Sequence, residues 1–204
     1  ALAVNKKCNK GHAVFLGTSL ETFDTDAKSV EPLLKKLNRD ELWLGYCGSL
    51  AASYDIPCVI SALKILKDQG KKIPKFVIMG DGARRAEFEK DALESDVDVA
   101  FLGSLPYDPM CAQLVQCDIA VTPIVKGSAA SIINNHGDYA SAGLPVLNTQ
   151  NTSEYRKLVD QYHMGFNCSN GNAKDLAEKL QILIGDKTLR QEMGRNARQC
   201  AEEK

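Results

Sequence analysis

Short apolar runs recur along the chain, each closed by Gly, Pro or Asp. Between them the apolar positions fall three or four residues apart. The runs Leu42–Cys47 (LWLGYC), Phe76–Met79 (FVIM), Val99–Leu102 (VAFL), Asp118–Thr122 (DIAVT), Pro145–Asn148 (PVLN) and Gly165–Cys168 (GFNC) predict six strands. Their near-continuous hydrophobicity is what strands covered on both faces show. A first helix is predicted from Pro57, whose fixed φ suits a first helical position, through Ile60, Leu63 and Leu66 to Gly70 as its stop. Others are expected over Ala83–Leu93, Pro109–Gln116, about Ala129–Ala142, Ser153–Tyr162 and Ala173–Ile184, with a polar helix from Lys187 onward.

Strand and helix alternating through short links means right-handed crossovers and a parallel sheet. The predicted fold class is α/β, a Rossmann-like, doubly wound parallel six-stranded sheet in the order 3-2-1-4-5-6. Residues 1–41 fall outside the alternation, offering one strand at Ala13–Leu16 and then the polar stretch KSVEPLLKKLNRDE. They read as the remnant of a preceding domain and a linker. The expected organisation is therefore 1–41, a nucleotide-binding unit over 42–186, and a C-terminal helix over 187–204.

Composition narrows the possible partners. At 204 residues, 44% hydrophobic and 25% charged, the chain has ample material for a core. A net charge of -1 provides no basic surplus, which argues against nucleic acid or an acidic membrane as main partner. No apolar run approaches the roughly 20 residues that span a bilayer. The opening ALAVNKKCNKGHAV has neither an initiator Met nor a signal-peptide pattern, so a piece of a longer protein is expected. Seven scattered cysteines without a CxxC pair fit a reducing, cytoplasmic compartment, with Cys47, Cys111 and Cys168 in apolar contexts. His12, His136 and His163 match no ligand spacing, so no metal is expected. The sequons at Asn151 and Asn167 read as chance matches in a cytoplasmic protein.

In a sheet of this order, ligands bind beyond the carboxyl ends of the strands where the order reverses, between the first and the fourth. Those ends carry GYCGSLAAS and TPIVKGSAAS. Small residues let backbone N–H groups approach an anion, and a following helix N-terminus adds partial positive charge. The plainer reading is a pair of tight strand-to-helix turns. Asp138, expected about two turns into the helix after the fourth strand, is placed to bridge two ribose hydroxyls. The competing reading is an ordinary solvent-facing helix acid. Gly143 then ends that helix and Pro145 opens the next strand.

At these residues the chain resembles the C-terminal half of GT-B fold retaining glycosyltransferases of the large bacterial group 1 family. The resemblance covers Leu42 to Arg198. It rests on GYCGSL, FVIMGDGARRAEFE, VAFLGSLPYDPMCAQLVQCDIAVTP, GDYASAGLPVLNT and GNAKDLAEKLQILIGDKTLRQEMGRNAR. It implies that this half holds the nucleotide of an activated sugar, UDP- or GDP-linked. Asp138 would stand on the ribose, where the family usually has Glu. Gly48 and Ser49 would meet the diphosphate, with Gly80 beside them, and Leu105 in the Gly103–Pro106 loop would lie against the base.

The chain also departs from the family. Ser49 and Tyr54 stand where many members carry Arg and Lys, and Ala130 stands where a second acid is usual. Lys126, Ser131 and Asn135 are the candidate replacement donors. The implied activity is transfer of a sugar, with retention, to a polysaccharide or glycolipid acceptor, without a metal cofactor. It would need an N-terminal acceptor domain in the same full-length chain. The expected place is the cytoplasm, at the inner face of the membrane if the missing half makes a peripheral contact.

Three alternatives stay open at this stage. One is an inactive module of the same fold that pairs with a partner, which the lost cations favour. Another is a dinucleotide-binding dehydrogenase, opposed by the lack of a third glycine soon after Gly48; Asp81, in MGDG, reads as a turn residue. The last is an epimerase acting on free sugar nucleotides, for which no acid and base are visible.

Overall fold

The computed structural model describes residues 19–38, 40–128 and 133–204. The predicted strand at Ala13–Leu16 lies outside the described residues. The six predicted strands are present: β1 (Trp43–Cys47), β2 (Lys75–Met79), β3 (Val99–Phe101), β4 (Ile119–Thr122), β5 (Val146–Asn148) and β6 (Gly165–Asn167). They form one sheet in the order β3-β2-β1-β4-β5-β6, and each neighbouring pair is parallel.

The helices are α1 (Leu20–Ser29), α2 (Ile56–Asp68), α3 (Arg85–Glu94), α4 (Tyr107–Leu114), α5 (Asn135–Ser141), α6 (Ser153–Tyr162), α7 (Ala173–Gly185) and α8 (Lys187–Glu203). Strand side chains point alternately to the two faces, and each face has its own core. Leu44 and Tyr46 of β1, with Phe76, Ile78, Ile119, Val121 and Leu147, pack against α2, α3 and α7. Trp43 and Cys47 of the same strand, with Val77, Met79, Ala120 and Val146, pack against α1, α4, α5, α6 and α8. All five β1 residues are therefore buried, which is why that strand shows no polar alternation.

Local signals hold where they are chemical. Pro57 lies in the first turn of α2, and Asp55 caps the helix by accepting from the Cys58 N–H at 3.3 Å. Gly70, at φ +68, follows its end. Helix boundaries move by a residue or two elsewhere, except before Asp138. There the described helix begins at Asn135, so Asp138 lies in the first turn of α5 and not two turns in.

The segment expected to be a linker contains α1, which packs on α4 and α5. Phe23 is buried in the second core. The Leu34 N–H donates to buried Gln113 at 2.8 Å, and Lys36 meets Asp118 at 2.6 Å. The C-terminal helix α8 packs on α5 and buries Met193, Ala197 and Cys200. Arg198 of α8 joins three elements: it donates to both carboxylate oxygens of Asp24, at 2.8 and 2.7 Å, and to the Ser141 carbonyl at 2.8 Å.

Candidate functional site

A cleft of about 470 Å³ opens beyond the carboxyl ends of the strands. Its lining comes from the ends of β1 and β2, the loop after β3, and α4 and α5, at the reversal in strand order. Of the candidates named from sequence, Gly48, Ser49, Gly80, Leu105, Asn135 and Asp138 line it together. Lys126 does not; it is exposed in the turn 125–128. Ser131 and Ala130 lie outside the described residues.

The first loop is held from below by the loop after β2. The Gly48 N–H donates to the Met79 carbonyl at 3.0 Å, and the Leu50 N–H to the Asp81 carbonyl at 2.9 Å. Two amides that an anion would seek are thus already paired within the fold. The approach of the two loops explains the glycine at 80: a Cβ there would stand 1.8 Å from the Gly48 carbonyl oxygen, a hard clash. At Gly48, with φ +153, a side chain would also meet the Tyr46 hydroxyl. Close backbone packing by itself therefore requires a glycine at 80.

Tyr46 donates to the Ser49 carbonyl at 2.8 Å, and the Tyr54 ring meets the Tyr46 ring edge-on at 5.7 Å. Tyr54 therefore braces the loop as an aromatic. Asp81 accepts from the Gly82 N–H at 2.7 Å and from Arg85 at 3.3 Å, the behaviour expected of a turn residue.

The helix bearing Asp138 is fastened to the end of β1. Asn135 donates its side-chain amide to the Cys47 carbonyl. One turn later, the Tyr139 hydroxyl accepts from the Cys47 N–H at 3.0 Å. The helix then stops where the sequence indicates. The Leu144 N–H returns to the Tyr139 carbonyl at 3.0 Å, and Gly143 takes φ +66, a conformation glycine adopts without strain. Asp138 is half-buried, and its Oδ1 accepts from the Tyr107 hydroxyl of α4 at 2.9 Å.

Behind α5 lies a buried polar group. The His136 ring stacks on Tyr155 at 3.3 Å. Its Nε2 meets Gln150 Oε1 at 2.8 Å, and its Nδ1 meets the Thr122 hydroxyl at 3.4 Å. Burial lowers its pKa to about 3, so the ring is neutral. The Cys47 thiol in the cleft wall is pushed far up by burial and stays protonated, which removes it as a nucleophile.

The cleft thus offers two carboxylates, Asp81 and Asp138, with small-residue loops and the apolar Leu105 and Met110, and among the described residues no Lys, Arg or His lines it. Such a surface is suited to holding and orienting a polar ligand; among the described residues it brings together no nucleophile–base pair. Among the described residues no group of His, Cys, Asp and Glu has the arrangement to hold a metal ion. Sequence reading missed Tyr107, Tyr139 and Tyr46. The Asn135–Tyr139 spacing of one helical turn was the only hint of the fastening.

Comparison with known proteins agrees with this architecture. The chain is 26% identical over 196 residues to the capsular polysaccharide biosynthesis glycosyltransferase CapM of Staphylococcus aureus, covering 92% of this chain and 48% of that protein. It therefore spans about half the length of that relative. Among solved structures, Anabaena HepE in complex with UDP and glucose superposes with a TM-score of 0.72 at 17% identity, over 93% of this chain and 51% of HepE. Sucrose-phosphate synthase from Thermosynechococcus elongatus does so with a TM-score of 0.72 at 18% identity, over 92% and 46%. At these identities the likeness is one of fold. The family model described as Glycosyl transferases group 1 matches residues 32–200, most of the cleft-bearing sheet and its helices, and the chain belongs to that family of glycosyltransferases.

Proposed function

We propose that this chain is the donor-binding half of a glycosyltransferase that moves a sugar, with retention, from a nucleotide sugar to a polysaccharide or glycolipid acceptor. An N-terminal domain of the same full-length protein completes the acceptor site, and the reaction runs at the cytoplasmic face of the membrane without a metal. Among the described residues no helix is long and apolar enough to cross a membrane. The observation that carries the reading is the placement of Asp138 in the cleft at the reversal in strand order, in one lining with Gly48 and Ser49. The UDP held by HepE, which shares this fold, supports a nucleoside diphosphate as the ligand class. UDP- and GDP-sugars are the first to try, and residues 42–186 are the unit that would hold them.

In this role the Asp138 carboxylate accepts from the ribose 2′- and 3′-hydroxyls. Asp138→Asn keeps the shape and removes the charge. Hydrogen bonds to a charged group are worth about 1.5–3 kcal/mol each, so UDP affinity should fall about ten- to a hundredfold while the melting temperature holds. A 2′,3′-dideoxy analogue should bind the parent weakly and be indifferent to the substitution. Titration calorimetry across that square decides the matter. Unchanged UDP affinity in Asp138→Asn would leave the acid as part of the scaffold and end the ribose assignment.

A further inference from the structure

The Tyr107–Asp138 contact joins the two lips of the cleft. Tyr107 begins α4, which follows β3 on one side of the switch point; Asp138 lies in α5, which follows β4 on the other. The two residues are 31 apart in sequence, yet hydroxyl and carboxylate oxygen stand at 2.9 Å. Tyr107 is 39% exposed and Asp138 half-buried, so the bond lies at the rim of the cleft and not in the core. Burial and the neighbouring Asp138 charge raise the pKa of the phenol, which therefore keeps its proton and donates.

We propose that Tyr107 is a positioning residue for the nucleotide: its hydroxyl holds the Asp138 carboxylate in the orientation that meets the ribose and ties α4 to α5 across the cleft. This rests on the reading of Asp138 as the ribose acceptor. An aspartate is one methylene shorter than glutamate and sits on a helix of only seven residues. A side chain fixed before binding does not have to be ordered by the ligand, and affinity rises accordingly.

The test is titration of UDP and of its 2′,3′-dideoxy analogue into the parent chain, Tyr107→Phe, Asp138→Asn and the double variant, with melting temperatures alongside. Tyr107→Phe is expected to weaken UDP about three- to tenfold and leave the melting temperature and the dideoxy analogue unchanged. It should add nothing further once Asp138 is Asn, because a residue that acts through another has no effect without it. If Asp138→Asn weakens UDP while Tyr107→Phe leaves it unchanged or tightens it, the ribose reading stands and the positioning role falls. Weakening of both ligands by Tyr107→Phe, or a loss that adds to that of Asp138→Asn, also overturns the proposal, since the phenol then acts on the nucleotide by another route. No effect of Asp138→Asn on UDP ends the ribose reading and this proposal together.

Discussion

Charge is distributed in an unusual way at the scale of single residues. The ligand class proposed for the cleft carries a diphosphate, yet no cation lines the cleft among the described residues. Charge-assisted bonds are the strong ones, and a site that had them would bind UDP far more tightly than uridine. Here the two are expected to differ by less than about tenfold in the isolated chain, which calorimetry at one salt concentration measures directly. Lys126→Met belongs to the same experiment. If it narrows the remaining gap, the exposed lysine swings over the phosphates as a replacement donor; if the gap persists, other groups carry the charge.

His136 behaves in the opposite way, as a neutral ring that cannot easily become charged. Its folded pKa of about 3 lies below the ordinary value of 6.5. The unfolded chain therefore binds the proton first as pH falls, and the stability present above pH 6.5 is lost between there and about 3. The expected slope is about 1.4 kcal/mol per pH unit below 6.5. It should appear in urea midpoints between pH 6.5 and 5, above the range where carboxylates titrate, and flatten in His136→Gln.

Among the elements, the two loops at the cleft floor are built against one another, and their glycines should be intolerant for that reason. Gly80→Ala forces a Cβ into the Gly48 carbonyl, and Gly82→Ala puts one 2.5 Å from the Leu50 carbonyl. Backbone must shift in either case. A loss of about 1–3 kcal/mol or more is expected, together with loss of nucleotide binding. Gly185→Ala in α7 is the control, because nothing lies within 4 Å of the added Cβ. It should be neutral or stabilising by up to about 1 kcal/mol, as helix propensity predicts. Urea denaturation of the three variants separates a steric cause from a general glycine effect.

At the scale of the whole molecule, α1 and α8 are bound to one another through Arg198 and Asp24, 174 residues apart. The carboxyl of Asp24 is held below its ordinary range, chiefly by its hydrogen bond to Arg198. Both side chains keep part of their surface in water, 30% and 43% exposed, so screening discounts the pair. Arg198→Met also removes the donor on the Ser141 carbonyl at the end of α5, and its whole cost should be about 1–2 kcal/mol. A double-mutant cycle with Asp24→Asn is expected to assign under about 1 kcal/mol to the ion pair itself. Hydrogen exchange should rise first in α1.

The fold class was legible in the chain because its determinants are local. Six apolar runs without alternation require cover on both faces, and the helical spacing between them requires crossovers; the order usual for six such strands then places the cleft. The glycine stop at 143 and the cap at Asp55 were legible for the same reason, since a single residue's backbone freedom or side-chain oxygen decides each. Residues 20–29 do not announce a helix seated on α4, because their pattern is mostly polar and a single buried residue, Phe23, holds the face.

The start of α5 and the company Asp138 keeps depended on tertiary structure. Tyr107 reaches Asp138, and Asn135 and Tyr139 reach Cys47, only after the crossovers have placed strands β1, β3 and β4 with their carboxyl ends together. The same assembly put Lys126 out on a turn and Tyr54 against Tyr46. Periodicity and stop signals record what each segment must bury and where it must end. Which side chains then meet across the cleft is a property of the assembled sheet, and no segment carries it alone.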